Sequence, residues 1–182
     1  MSKIRLTPNA SGTGTVTLTV PSTSTDRTVT LPDETGTVLT TESTVPPKVP
    51  AFNVNITSTA GFSTQTKVPF NTVVFDTDSW FDTTNNRYVP QQAGYYFFSS
   101  IVNTSGSNSP VYGQINIRKS GTVFAERFIS INNNQFNSVH VTGIIDLNGS
   151  TDYVETFAQY NTTRFFRNGM PTQMTGFLIR TL

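Results

Sequence analysis

The chain contains no cysteine, which excludes disulfides, thiolate chemistry and cysteine-bound zinc together. It has one histidine and one tryptophan. Charged residues make up 13% of the chain, against about 25% in an ordinary globular domain. The formal net charge is +1, so neither nucleic acid nor an anionic membrane has an electrostatic reason to bind. No apolar run approaches the roughly 20 residues that span a bilayer, so no membrane insertion is expected. No secretory signal is expected either, since polar residues follow closely on Ile4 and Leu6. The first 51 positions are also without aromatic residues: each of the 14 Phe and 6 Tyr, and the single Trp, lies at Phe52 or beyond. Rings supply a large share of core burial, so the opening segment has little with which to build a core of its own. Stability has to come from burial elsewhere, and association between copies would add to it.

Thr, Ser, Asn and Gly fill the places that charge leaves empty, and these suit strands and turns. In the opening segment Val16, Leu18 and Val20 alternate with Thr15, Thr17 and Thr19, and Val29 and Leu31 repeat the period of two. Two readings fit residues 1–45: short strands whose apolar faces are buried only against other chains, or a flexible Thr-rich linker. In the first, Val16, Leu18, Val29 and Leu31 are the buried anchor positions. Pro46, Pro47 and Pro50 then favour an extended spacer at 46–50.

Residues 51–182 read as strand after strand, with candidates at 51–57, 67–70, 72–76, 87–89, 94–102, 112–119, 122–131, 137–146, 153–160 and 175–182. Turn signals such as Ser120-Gly121 and Asn148-Gly149 separate them. The class is all-β, a sandwich or barrel. On 94–102, Tyr95 and Phe97 alternate with Tyr96 and Phe98, so both faces carry rings. One face can line a core. The other meets either a second sheet of the same chain or a partner subunit.

The run Phe81-Asp82-Thr83-Thr84-Asn85-Asn86-Arg87-Tyr88-Val89-Pro90, followed by Gly94-Tyr95-Tyr96-Phe97-Phe98, resembles the central motif of the globular heads of complement C1q and the tumour necrosis factor superfamily. Ala51-Phe52-Asn53-Val54 resembles the family's opening strand, Val141 to Glu155 its late hairpin, and Thr175-Gly176-Phe177-Leu178-Ile179 its closing strand. The sequence departs from the pattern at Gly149 and Asp152, where Ser150 and Thr151 intervene and imply a longer turn. The resemblance covers 51–182 and implies a jelly-roll β-sandwich that forms a homotrimer around a three-fold axis. The opening segment, above all Arg27-Thr28-Val29-Thr30-Leu31-Pro32-Asp33-Glu34-Thr35-Gly36-Thr37, resembles a leader of bacteriophage tail-fibre and structural proteins. That implies a place on the virion surface and, as partners, other virion structural proteins.

Catalytic chemistry finds little support. His140 lies in an alternating strand pattern and reads as an ordinary strand residue. Asp76, Asp78 and Asp82 begin like a calcium loop, but Trp80 and Phe81 stand where a ligand and the turn glycine would fall. A surface ion there stays open, and no cofactor is expected. No phosphate loop, dinucleotide fingerprint or His-Glu zinc motif occurs. The expectation is therefore a non-enzymatic trimeric fibre protein whose head contacts a host-surface glycan or protein. A capsid decoration protein without a receptor is the alternative, and a glycan depolymerase a remoter one. Three polar loops are the expected contacts, at 103–110, 132–137 and 161–168. Asn103, Ser107, Asn108, Asn132, Asn133, Asn134 and Asn161 are to hydrogen-bond sugars, Phe165 with Tyr160 and Phe166 nearby is to stack on them, and Arg164 and Arg167 complete the expected contacts.

Overall fold

The structure, a computed structural model, describes residues 11–15, 17, 22–26, 28, 48–57, 59–106, 111–131, 136–168 and 172–182. The chain divides into two units, Met1–Thr44 and Val45–Leu182. The described residues of the first carry no strand; there the Thr25 N–H donates to Thr23 Oγ1 at 3.1 Å, a local turn. The four expected anchor positions, Val16, Leu18, Val29 and Leu31, lie outside the described residues.

The second unit is built of strands, with no helix among its described residues. They are β1 Ala51–Asn55, β2 Gly61–Phe62, β3 Thr66–Lys67, β4 Thr72–Asp76, β5 Phe81–Asp82, β6 Arg87–Tyr88, β7 Ala93–Gly106, β8 Val111–Lys119, β9 Thr122–Ile131, β10 Phe136–Asn148, β11 Val154–Tyr160, β12 Arg164–Phe166 and β13 Gln173–Thr181. Two antiparallel sheets form. In the first, β7 pairs with β10 on one side and with β13 and β12 on the other; β1 and β4 continue beyond β13, and β2 beyond β12. In the second the order is β5-β6-β11-β8-β9, with β3 also on β11. This is the jelly-roll sandwich that the sequence implies.

The period of two sets what each strand buries. On β7, Tyr96, Phe98, Ser100 and Val102 point into the core. On β10, Val139, Val141, Ile145 and Leu147 do so, opposite Ile115, Ile117, Val154 and Ala158 of the second sheet. Phe52 from the opening strand stacks on Tyr88 of the central motif with ring centroids 4.3 Å apart. The Thr156 hydroxyl donates to Ser100 Oγ at 3.1 Å and ties the sheets across a buried polar position.

Several elements depart from expectation. β7 runs on to Gly106, four residues past the expected end, because β10 and β12 pair with its second half. The expected strand 67–70 shrinks to Thr66–Lys67, although Val68 and Phe70 stay buried. The expected loop 161–168 contains a strand, β12. The late turn is long, as its spacing implied, and is tied from within: Asn148 Oδ1 accepts from the N–H groups of Ser150 and Thr151 at 3.0 Å and of Asp152 at 3.1 Å. Gly149 takes φ 68° there, a conformation glycine adopts without strain.

Candidate functional site

The strand ends that flank the three expected contact loops gather at one end of the sandwich. β12 and the start of β10 pair with the end of β7, and the start of β8 pairs with the end of β9. Ser107, Asn108, Asn132, Asn133 and Asn134 lie outside the described residues. Of the rest, Asn161 is exposed and Phe165 is 44% exposed, whereas Arg167 is half-buried with its guanidinium 4.9 Å from the Phe136 ring centre.

Two of the expected contacts are corrected. Asn103 is buried in β7, where its backbone N–H donates to Thr172 Oγ1 at 3.0 Å and its carbonyl accepts from the Arg167 N–H at 2.9 Å. Arg164 is fully buried on β12, with Nη2 reaching the Thr104 carbonyl at 3.4 Å and its guanidinium 5.5 Å from the Tyr160 ring centre. Neither presents itself to a ligand.

The solvent face of the first sheet carries the second set of rings. Registers place Ile144, Phe97, Phe177 and Ala51 side by side across β10, β7, β13 and β1. Phe97 and Phe177 meet at 5.4 Å between centroids. Ile144 is 58% exposed, and Tyr95, Phe177, Ile179 and Phe75 are each more than two-fifths exposed. The next row is polar: Thr142, Ser99, Thr175 and Asn53. Among the described residues no strand of this chain lies over that face.

The acidic cluster serves the hairpin between β4 and β6. Asp76 Oδ2 accepts from the Phe81 N–H at 2.7 Å. Asp82 accepts from the Thr84 and Asn85 N–H groups and from Asn85 Nδ2 at 2.6 Å. The Asn85 amide, with the Asn85 and Thr84 N–H groups, holds the Asp82 carboxyl below its ordinary value. The Thr77 hydroxyl at 2.6 Å and Lys48 at 3.0 Å do the same for Asp78. Among the described residues no group of three His, Asp or Glu stands close enough to hold a metal ion. His140 Nε2 lies 2.8 Å from Ser99 Oγ on the open face of the first sheet. Among the described residues no hydrogen bond joins its other ring nitrogen to a carboxylate, so the orienting third member of a triad is not in place.

Sequence reasoning missed one feature. The outer face of the second sheet holds a groove of about 590 Å³ over β8, β9 and β11, flanked by Tyr112 and Phe128. Both rings belong to recognised strands, but the spacing within a strand does not reveal which ring neighbours which.

No family model and no curated protein matches the chain. Solved structures do. The globular domain of zebrafish complement 1qA is 18% identical with a TM-score of 0.52, covering 74% of this chain and 100% of that one. Murine APRIL at pH 5.0 is 12% identical with a TM-score of 0.57, covering 72% and 100%. At such identities the likeness concerns the fold: residues 51–182 form a C1q- and tumour-necrosis-factor-like jelly roll.

Proposed function

We propose that the protein is a non-enzymatic homotrimeric fibre protein of a bacteriophage virion, whose jelly-roll head contacts the host cell surface. The observation that carries self-association is the uncovered row of Ile144, Phe97 and Phe177. Contiguous apolar surface of this kind on a chain with so little charge needs a cover to remain soluble. A second and a third copy, each bringing the same face to a common axis, supply it. The fold supports the same reading, since the implied trimer places first and last strands near the axis, and β1 and β13 lie side by side in this sheet. The Arg27 to Thr37 leader supports attachment of the opening segment to other virion proteins.

Mass measurement of the full chain in dilute buffer is expected to give three copies. Phe97→Asp combined with Ile144→Asp should give a folded monomer, because both side chains are removed from the solvent face and not from the core. A wild-type chain that stays monomeric and folded at micromolar concentration rules out the trimer.

A further inference from the structure

The groove on the second sheet lies outside the face just assigned to self-association, and its chemistry is different. Tyr112 is 60% exposed and Phe128 67%, the two most exposed rings among the described residues. They are diagonal neighbours: Tyr112 of β8 pairs with Ser130 of β9, and Gln114 with Phe128. Between and beside them lie amides. Gln114 pairs in register with Gln159 of β11, and Gln114 Nε2 donates to Gln159 Oε1 at 3.0 Å. That bond leaves Gln114 Oε1 as an acceptor and Gln159 Nε2 as a donor. Asn161 closes the end of the groove, its Oδ1 accepting from the Tyr112 N–H at 2.8 Å. Gly113 and Tyr160 lie between these outward residues and face the core: Tyr160 is buried, and a Cβ at Gly113 would stand 2.4 Å from its Cδ1, so glycine is needed there with that ring in place.

We propose that this groove binds an uncharged saccharide chain. The inference rests on the reading of the protein as a binding protein and names the ligand class; it needs neither the trimer nor the virion. The volume is of the order of small-molecule sites, about 300–1,000 Å³. No charged side chain is among the described lining residues, which matches a ligand without formal charge. Arg127, the nearest cation along β9, is adjacent to Phe128 and so points to the other side of the strand. Sugar hydroxyls donate and accept at once, and an amide side chain offers both functions from one plane. The apolar C–H face of a pyranose needs a flat apolar partner, and two rings offered from adjacent strands provide two such platforms. A protein partner would be better served by a contiguous apolar patch with a polar rim. Here the two rings stand diagonally, with the Gln114 amide and the Ser130 hydroxyl at the other corners.

The test applies the purified full chain to an array of neutral gluco-, galacto-, manno- and N-acetylhexosamine oligosaccharides, beside uronate- and phosphate-bearing ones, and then titrates the best-bound sugar. At least one neutral oligosaccharide is expected to bind. Tyr112→Ala and Phe128→Ala should each weaken it about tenfold or more, and Phe128→Trp should restore it. Phe124→Ala, an exposed ring on β9 outside the groove, should leave binding unchanged. Thermal melting should hold throughout, since the altered rings are exposed. The inference is overturned if no neutral sugar binds, if only charged ones do, or if the double Tyr112→Ala, Phe128→Ala variant still binds. It is also overturned if that variant changes the oligomeric mass, because the groove is then a contact between copies. A chain that binds the sugar as a monomer sinks the trimer alone; a trimer that binds none of the sugars sinks this inference alone.

Discussion

In the run Arg164-Phe165-Phe166-Arg167, charge and apolar character do not sort in the usual way. Phe166 stacks on Phe62 at 4.2 Å, and that contact fixes which side of β12 faces inward. Parity then carries Arg164 inside and Phe165 out, where its ring lies over Gly61. The buried guanidinium is only partly satisfied: among the described residues Nε and Nη1 have no hydrogen-bond partner, and burial pushes its pKa down. Replacing it by an apolar side chain of similar length should therefore cost little. Arg164→Met is expected to keep or raise the urea midpoint of the head, while Arg164→Ala should lower stability by about 2–4 kcal/mol through the cavity it leaves. Equal losses in the two variants would mean that the Thr104 bonds, and not side-chain volume, hold the site.

The hairpin from β5 to β6 is an element whose stability follows pH. Its Asp82 accepts three hydrogen bonds in the ionised form, with Asn85 as the main contributor, and its folded pKa lies below the unfolded value. A depressed carboxyl stabilises fully above its unfolded pKa of about 3.9, and the contribution is lost as pH falls through the lower folded value. The head should melt at a constant temperature above about pH 5 as far as this group is concerned, and lower in acid. Asp82→Asn should melt lower than wild type at neutral pH and converge on it below about pH 3. A constant gap between the two curves down to pH 2 would show that the hairpin draws nothing from the charge. The acidic residues were legible in the sequence. Their employment as backbone acceptors was not, since it depends on where the turn places the N–H groups of Phe81, Thr84 and Asn85.

At the scale of the whole molecule the proposed trimer has a consequence for the opening segment: three heads held together would bring three such segments to a high effective concentration. Each segment alone has no rings and cannot offset the ~1–2 kcal/mol per residue needed to order its backbone. Val16, Leu18, Val29 and Leu31 are accordingly expected to be covered only on the particle. Leu18→Asp with Leu31→Asp should leave the head folded and of unchanged mass but abolish incorporation into particles, as read by copy number on purified virions. Normal copy number in that variant would move the attachment to the head.

The sequence by itself determined the all-β class, the lack of rings before Phe52 and, through the period of two, which residues of β7 and β10 share a face. These are local properties: alternation and ring content are written along the strand. Only the tertiary structure decided what covers each face. Ile144, Phe97 and Phe177 become one uncovered row because β10 and β13 flank β7 in a particular register. Tyr112 and Phe128 become neighbours because β8 and β9 pair with a bulge at Ile117 and Arg118. A register is chosen by burial summed over whole strands, so shifting it by one residue would exchange every face. That choice involves residues far apart in the chain, and no single segment contains it.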